Sequence, residues 1–278
     1  MIKFKKILII IQRSNGDVLL SSSLIKSLYE NFDSPEIDIL VNDDTIAVAK
    51  ILPNINKIYT FSYEEKSSNR WRQEKNIIKQ LFRKYDLSIN LTASDRSVIY
   101  ALLASKKSIS AIEQDNSKSW WKKIFLNNYY IFDLSSHILN NNLKPLSFLK
   151  INPQKIFFEP KISKKAVENI RQRLREIGVK CFLIFHPSAQ YNYKIYPKHL
   201  RDILLEKLST LGIPILVTGA NNKIDIEIKN QIPKLPNIID FIGETTLEEY
   251  IALSQISIAY VGMDTLNMHI AAAQNKRI

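Results

Sequence analysis

Lys6-Ile-Leu-Ile-Ile-Ile-Gln-Arg-Ser-Asn-Gly-Asp-Val-Leu-Leu-Ser-Ser-Ser-Leu-Ile-Lys-Ser-Leu28 runs from an aliphatic stretch, through an Asn-Gly turn, into apolar residues at helical spacing. A continuous apolar run suits a strand buried on both faces, and a helix straight after it makes a strand-turn-helix unit. The unit recurs downstream. Apolar runs at 36–41, 57–60, 86–91 and 108–112 alternate with helical spacing such as that from Asn76 to Phe82. A second series follows the Asn-rich, Pro-bearing segment 140–145 and the Asn152-Pro153 turn, with a boundary near residues 150–160. Its strands are read at 181–186, 214–218, 238–242 and 256–261, and its helices at 164–177, 198–211, 223–231, 247–254 and 265–273. Alternating strands and helices predict an α/β chain of two doubly wound parallel sheets, with domains 1–152 and 153–278.

A chain of 278 residues is long enough for two cores, and 45% hydrophobic with 24% charged residues excludes a disordered or fibrous protein. Cys181 stands alone, which rules out a disulfide framework and a Cys-based zinc cluster and favours a reducing, cytoplasmic setting. The basic opening of the chain has a leader's charge, but its apolar run stops at Gln12 and Arg13, so it reads as a strand. No stretch approaches the ~20 apolar residues of a membrane span. A net charge of +12 calls for an anionic partner: nucleic acid, an anionic lipid face, or a phosphorylated small molecule.

Ligands of such sheets sit at the carboxyl ends of strands, so the turns after strands carry the chemistry. Three are unusual. In Gln12-Arg13-Ser14-Asn15-Gly16-Asp17 the carboxylate falls at a helix start, where it either caps backbone N–H groups or accepts a proton from a hydroxyl substrate. One glycine is too few for a dinucleotide fingerprint. In the second, His186-Pro187-Ser188 leads to Lys194 just before the next helix, a lysine that is either solvated or free to neutralise phosphate. In the third, a strand runs into Asp264-Thr265-Leu266, opening a helix whose free N–H groups favour a diphosphate, with His269 about one turn on. Taken singly, Asp264-Thr265 is an ordinary cap and His269 an ordinary core residue.

Taken in order, these segments resemble glycosyltransferase family 9, the ADP-heptose:lipopolysaccharide heptosyltransferases, over nearly the whole chain. The Gly16-Asp17 turn, Glu36-Ile-Asp-Ile-Leu-Val41, Leu52-Pro-Asn-Ile-Asn-Lys-Ile58 and Tyr85-Asp-Leu-Ser-Ile-Asn-Leu91 follow the family's order. His186-Pro-Ser-Ala and Lys194-Ile-Tyr-Pro are similar to its His-Pro-Gly-Ala and Lys-Arg-Trp-Pro segments, and Asp264-Thr265 through Ala273 to its Asp-(Ser/Thr)-Gly-x-x-His-x-x-Ala-Ala block.

The resemblance implies the GT-B architecture, two Rossmann-like domains facing a cleft, with the acceptor on the first and the nucleotide sugar on the second. It implies an inverting transfer of heptose from ADP-heptose to a lipopolysaccharide core acceptor, with Asp17 as general base and Lys194 stabilising the departing diphosphate. Ser188, Thr218, Gly219, Asp264, Thr265, Leu266 and His269 would hold the nucleotide sugar, and Arg13, Ser14, Asn15 and Gly16 the acceptor. No metal or cofactor is required beyond the sugar donor. Leu266 and Ser188 stand where the family has glycine, and Ile195 where it has arginine. Relatives continue past Ile278 into a further strand and helices, so the C-terminal domain is read as cut short with a sheet edge open.

An anionic glycolipid acceptor suits two segments. Residues 66–84 place seven basic residues against one acidic, with Trp71, Ile78 and Phe82 among them, and 118–125 mixes Trp120 and Trp121 with three lysines. Such compositions fit headgroup level at the inner face of the inner membrane, and equally an ordinary amphipathic helix and two core tryptophans. The rival classes are a transferase of another nucleotide sugar, a non-catalytic relative that binds without turnover, and a nucleic-acid binder. The last is disfavoured: Lys and Arg outnumber Asp and Glu by 22 to 15 in residues 1–150 and by 17 to 12 in the rest, and no nucleic-acid motif is present.

Overall fold

The structure, a computed structural model, describes residues 4–153 and 160–278. Met1–Lys3 and most of the 150–160 boundary segment lie outside the described residues. The chain divides into two compact units, 1–161 and 162–278.

Unit 1 runs β1 (Lys6–Ile11), α1 (Asn15–Leu19), α2 (Ser22–Asn31), β2 (Glu36–Asn42), α3 (Ile46–Ile51), β3 (Lys57–Phe61), α4 (Tyr63–Ser68) and α5 (Arg70–Leu81). It continues with β4 (Leu87–Asn90), α6 (Asp95–Ala104), β5 (Ser108–Ile112), α7 (Asn116–Phe125), β6 (Asn128–Ile131) and α8 (Ile138–Phe148). The six strands are parallel in the order β3-β2-β1-β4-β5-β6, so the direction of winding switches between β1 and β4. Ile7 to Ile11 are wholly buried, as expected of a central strand covered on both faces.

Three local readings are corrected. The helical stretch after β1 is two helices, because Ser21 turns its Oγ back onto the Val18 carbonyl at 2.7 Å and breaks the ladder. The segment 140–145, given no element by its sequence pattern, is helix: it lies in α8, with Pro145 inside. Asn141 is buried there, its Oδ1 accepting from Asp133 N (3.0 Å) and its Nδ2 donating to Asp133 O (2.8 Å), and this tie outweighs the backbone bond that Pro145 cannot make. Asn128-Tyr-Tyr-Ile131, missed in the sequence, forms edge strand β6, where only Tyr130 is buried.

Unit 2 runs α9 (Lys164–Glu176), β7 (Leu183–His186), α10 (Lys198–Ser209), β8 (Ile215–Gly219), α11 (Lys223–Lys229), β9 (Ile238–Ile242), α12 (Leu247–Ile256), β10 (Ala259–Gly262) and α13 (Leu266–Ala273). Its sheet is parallel in the order β10-β7-β8-β9, with the switch between β7 and β10. The outer edge of β10, read from sequence as open, is met at one place: Tyr260 N donates to Arg277 O at 2.9 Å, and Ala259 pairs with Arg277 in parallel. In each unit the turns singled out by sequence leave the strands that flank the switch, the position where doubly wound sheets hold ligands.

Candidate functional site

In unit 1 the chain leaves β1 at Gln12, and Ser14 rather than Asp17 is the N-cap of α1. Asp17 lies three residues into the turn and reaches back. Its Oδ2 accepts from Arg13 Nε (3.0 Å), Ser14 N (3.3 Å) and Ser14 Oγ (3.0 Å). All three donors converge on one oxygen, so Oδ1 keeps its lone pairs without a partner among the described residues. Arg13 is held in place by that ion pair and by stacking over the Phe132 ring, 4.5 Å from its centroid. Asn15 and Gly16 form the first turn of α1. Asn142 Nδ2 donates weakly to the Asp17 carbonyl at 3.5 Å, tying the turn to α8.

In unit 2 a polar cluster sits at the ends of β7 and β8. His186 is buried, its Nδ1 3.2 Å from Thr218 Oγ1 and its Nε2 3.4 Å from Ser188 Oγ. Asn267 Nδ2, from the first turn of α13, lies 3.0 Å from Nδ1 and 3.3 Å from Nε2. Burial pushes the imidazole down to about 4 against the opposing pull of Asp225, so it is neutral at pH 7. Which ring nitrogen donates follows from the tautomer, and Thr218, Ser188 and Asn267 supply polar partners for both.

The loop after β8 is closed by Asp225, whose Oδ2 accepts from Ala220 N and Asn222 Nδ2, both at 2.7 Å. A side chain at Gly219 would press on Asp225 at 3.1 Å. Gly262 ends β10 with no room at all, since a Cβ there would lie 2.5 Å from the His186 carbonyl oxygen. That close approach lets Met263 N donate to His186 O at 3.1 Å and starts α13 beside β7. Thr265 is the N-cap of α13, and its hydroxyl does not cap its own helix. The N–H groups of the first turn, beginning at half-buried Leu266, are therefore not met by the cap side chain. Asp264 Oδ1 and His269 Nε2 approach to 3.7 Å, joining the pair that the sequence spacing put on one face.

The structure thus brings Ser188 and Thr218 together on His186, and Asp264 onto His269. Lys194 stands apart: it is exposed at the end of the turn Asn192–Lys194, and among the described residues no hydrogen bond or ion pair of its ammonium joins it to the cluster. Asn267 and Asp225 were not found by sequence. The Asn222-x-x-Asp225 spacing was a capping signal that could have flagged Asp225, whereas Asn267 meets His186 only because β10 pairs with β7. No group of three or more His, Cys, Asp or Glu side chains is placed to hold a metal ion among the described residues.

Two doubly wound parallel sheets in tandem, each with its polar residues at the switch, are the fold of the GT-B glycosyltransferases. The model of glycosyltransferase family 9 (heptosyltransferase) matches residues 75–278, and the chain belongs to that family. It is 27% identical over 273 residues to lipopolysaccharide heptosyltransferase 3 of Escherichia coli, covering 95% of this chain and 79% of that protein. In three dimensions it resembles a family 9 glycosyltransferase from Veillonella parvula (TM-score 0.82, 17% identity, 99% of this chain and 79% of the other). It also resembles the E. coli heptosyltransferase WaaC solved with ADP-2-deoxy-2-fluoro heptose (TM-score 0.75, 14% identity, 98% and 86%).

Proposed function

We propose that this glycosyltransferase moves a heptose from ADP-heptose to a hydroxyl of an anionic lipopolysaccharide core saccharide, with inversion at the anomeric carbon. The observation that carries the reading is the Asp17 carboxylate, anchored through Oδ2 with no partner on Oδ1 among the described residues. Oδ1 takes the acceptor's proton as the acceptor oxygen bonds to the anomeric carbon. The bond from that carbon to the diphosphate breaks, and ADP leaves with the electron pair. Arg13, Ser14, Asn15 and Gly16 line the approach to that oxygen.

The donor is assigned to unit 2. The first turn of α13, with Thr265 and Leu266, faces the diphosphate with N–H groups and the positive end of the helix dipole. Lys194, exposed in its turn, swings onto the charge that develops on the leaving group. The neutral His186, held by Ser188, Thr218 and Asn267, fixes the loops around Gly219 and Asp264, and Asp264 with His269 shapes the same pocket. The reaction uses no metal or cofactor. The setting assigned is cytoplasmic, beside the inner face of the inner membrane, with the anionic bilayer touched through residues 66–84 and 118–125. No helix among the described residues is long and apolar enough to cross a membrane.

A panel of nucleotide sugars offered to the purified chain with a heptose-deficient lipopolysaccharide core tests the reading. ADP-heptose is expected to give acceptor-dependent release of ADP. Turnover with a UDP- or GDP-linked sugar instead would replace the donor assignment and keep the transferase. No turnover with any donor would return the chain to a binding role.

A further inference from the structure

On the face of the unit 1 sheet that α5 and α6 cover, Leu8 and Ile10 of β1, Leu40 of β2, and Tyr59 and Phe61 of β3 form one buried cluster. Ile10 is in register with Leu40, and Asn42 with Phe61. Side chains alternate along a strand, so Gln12 and Asn42, each two residues beyond a member of the cluster, come to the same face. Gln12 keeps to the strand path, its N–H donating at 2.9 Å to Thr92 Oγ1 just beyond β4. The carboxyl end of this face is therefore a row of Gln12, Asn42 and Phe61. Arg96, in the first turn of α6, sets its guanidinium over the Phe61 ring, 3.6 Å from the centroid.

The row carries buried polar atoms that the fold does not satisfy. Gln12 and Asn42 are 6% and 5% exposed, and Gln12 Nε2 and Oε1, Asn42 Oδ1 and Arg96 Nε have no hydrogen-bond partner among the described residues. Such groups cost stability, and a neighbouring carboxamide is fully matched. Asn90, in register with Ile10 on β4, donates to Thr92 O at 2.6 Å and Ser110 Oγ at 2.8 Å and accepts from Thr92 N at 3.1 Å. Unmatched polar groups gathered at the carboxyl end of a doubly wound sheet, beside its switch, mark a ligand site.

Their chemistry selects the ligand. Gln12 offers a donor and an acceptor and Asn42 an acceptor, and a hydroxyl is the group that serves both kinds. Arg96 adds a fixed positive charge, with no carboxylate in ion-pair distance among the described residues. Tyr63, exposed at the start of α4, overlies the same guanidinium at 5.6 Å. A ring that bears several hydroxyls and one anionic substituent satisfies all three side chains.

We propose that Gln12, Asn42 and Arg96 form a subsite for an anionic sugar residue of the acceptor, the carboxamides binding its hydroxyls and the guanidinium its phosphate or carboxylate, with Tyr63 turning aside to admit it. That the ligand is the acceptor rests on the reading above, since Gln12 follows the strand that leads to Asp17, the assigned base. Buried polar groups of this kind reject a ring that cannot pair with them, which makes the subsite specificity-determining.

Calorimetric titration of the full chain with heptose-deficient core oligosaccharide, intact, dephosphorylated or carboxyl-reduced, is the test, read beside ADP affinity and melting temperature. The parent chain is expected to bind the intact core and to lose about tenfold on whichever stripped form lacks the anion that Arg96 meets. Arg96→Gln should bind the intact core about tenfold more weakly and no longer discriminate against that form. Gln12→Leu should also lose about tenfold, yet melt about 2–4 °C higher, because it removes buried polar atoms that have no partner. ADP affinity should stay parental in both variants, ADP being assigned to unit 2. A lower Tm for Gln12→Leu with core affinity intact would make the carboxamide a packing group and overturn the proposal. So would equal binding of all three cores by the parent chain, or no binding of the intact one. Core binding without ADP release from ADP-heptose defeats the transferase reading alone; ADP release at the parental acceptor KM in both variants defeats the subsite alone.

Discussion

Asn267 and His186, 81 positions apart, meet with the carboxamide nitrogen 3.0 Å from the imidazole Nδ1. The contact links the start of α13 to the end of β7, and Thr218 and Ser188 complete the ring of partners. Because it is buried, the ring makes the stability of unit 2 depend on pH. The unfolded chain binds a proton at His186 near 6.5 and the folded chain only near 4, so the unfolded state takes up more protons between those values. Stability attributable to this group is complete above about pH 6.5 and falls by ~3 kcal/mol on the way down to pH 4. Denaturant unfolding at a series of pH values should show that loss, and His186→Asn should flatten it. An unchanged slope in the variant would remove His186 as the cause.

At Asp17 the expected signature is kinetic. Asp17→Asn keeps an oxygen for the Ser14 donors but loses the proton acceptor, so turnover should fall by about 10²–10⁴-fold while the affinity for ADP, assigned to the other unit, stays as it is. Steady-state turnover paired with ADP titration separates the two quantities. Full turnover in Asp17→Asn would end its assignment as the base.

Positive charge for the leaving diphosphate is assigned to Lys194 and the first turn of α13, so a chelator should leave the rate unchanged. Lys194→Ala should instead cost at least tenfold in turnover, with a smaller effect on ADP binding. A rate abolished by EDTA and restored by a divalent cation would contradict this division of labour.

Gly262 is required by space and not by backbone freedom. A methyl group there meets a backbone oxygen at 2.5 Å and the Tyr260 hydroxyl at 2.8 Å, and the backbone atom cannot swing aside. Gly262→Ala should therefore destabilise the protein by about 1–3 kcal/mol, read as a lower Tm. It should also weaken ADP binding, since spreading β10 from β7 moves Asn267 off His186. Parent-like stability would mean that the strands tolerate the spread.

What was legible in the sequence follows from burial. The central strands β1, β2, β7 and β8 announce themselves because both faces are covered and nearly every residue must be apolar. Edge strand β6 does not, since Asn128, Tyr129 and Ile131 are exposed and leave no such run. The Asn and Pro residues of α8 read as breakers because the compensating tie from Asn141 to Asp133 is tertiary. Asp17 and the Asp264–His269 block were visible as local spacing at strand ends. Asn267 was not, because its partner is set by strand order, on which local spacing is silent.

Lys122 offers a test of how the outer helix of unit 1 is fixed. Its ammonium is wholly buried and meets Asp95 at 2.7 Å, Glu113 at 2.5 Å and the Ala93 carbonyl at 2.8 Å. The partners are not equally buried: the Asp95 side chain is 67% exposed and that of Glu113 31%. Removing the cation leaves two carboxylates that water can reach, whereas removing both carboxylates strands a cation that water cannot. Lys122→Met should cost about 1–2 kcal/mol, and Asp95→Ala/Glu113→Ala about 3–5 kcal/mol, the range for an uncompensated buried charge. Denaturant unfolding of both variants decides it, and the reverse order would show that Lys122 reaches solvent once its partners are gone.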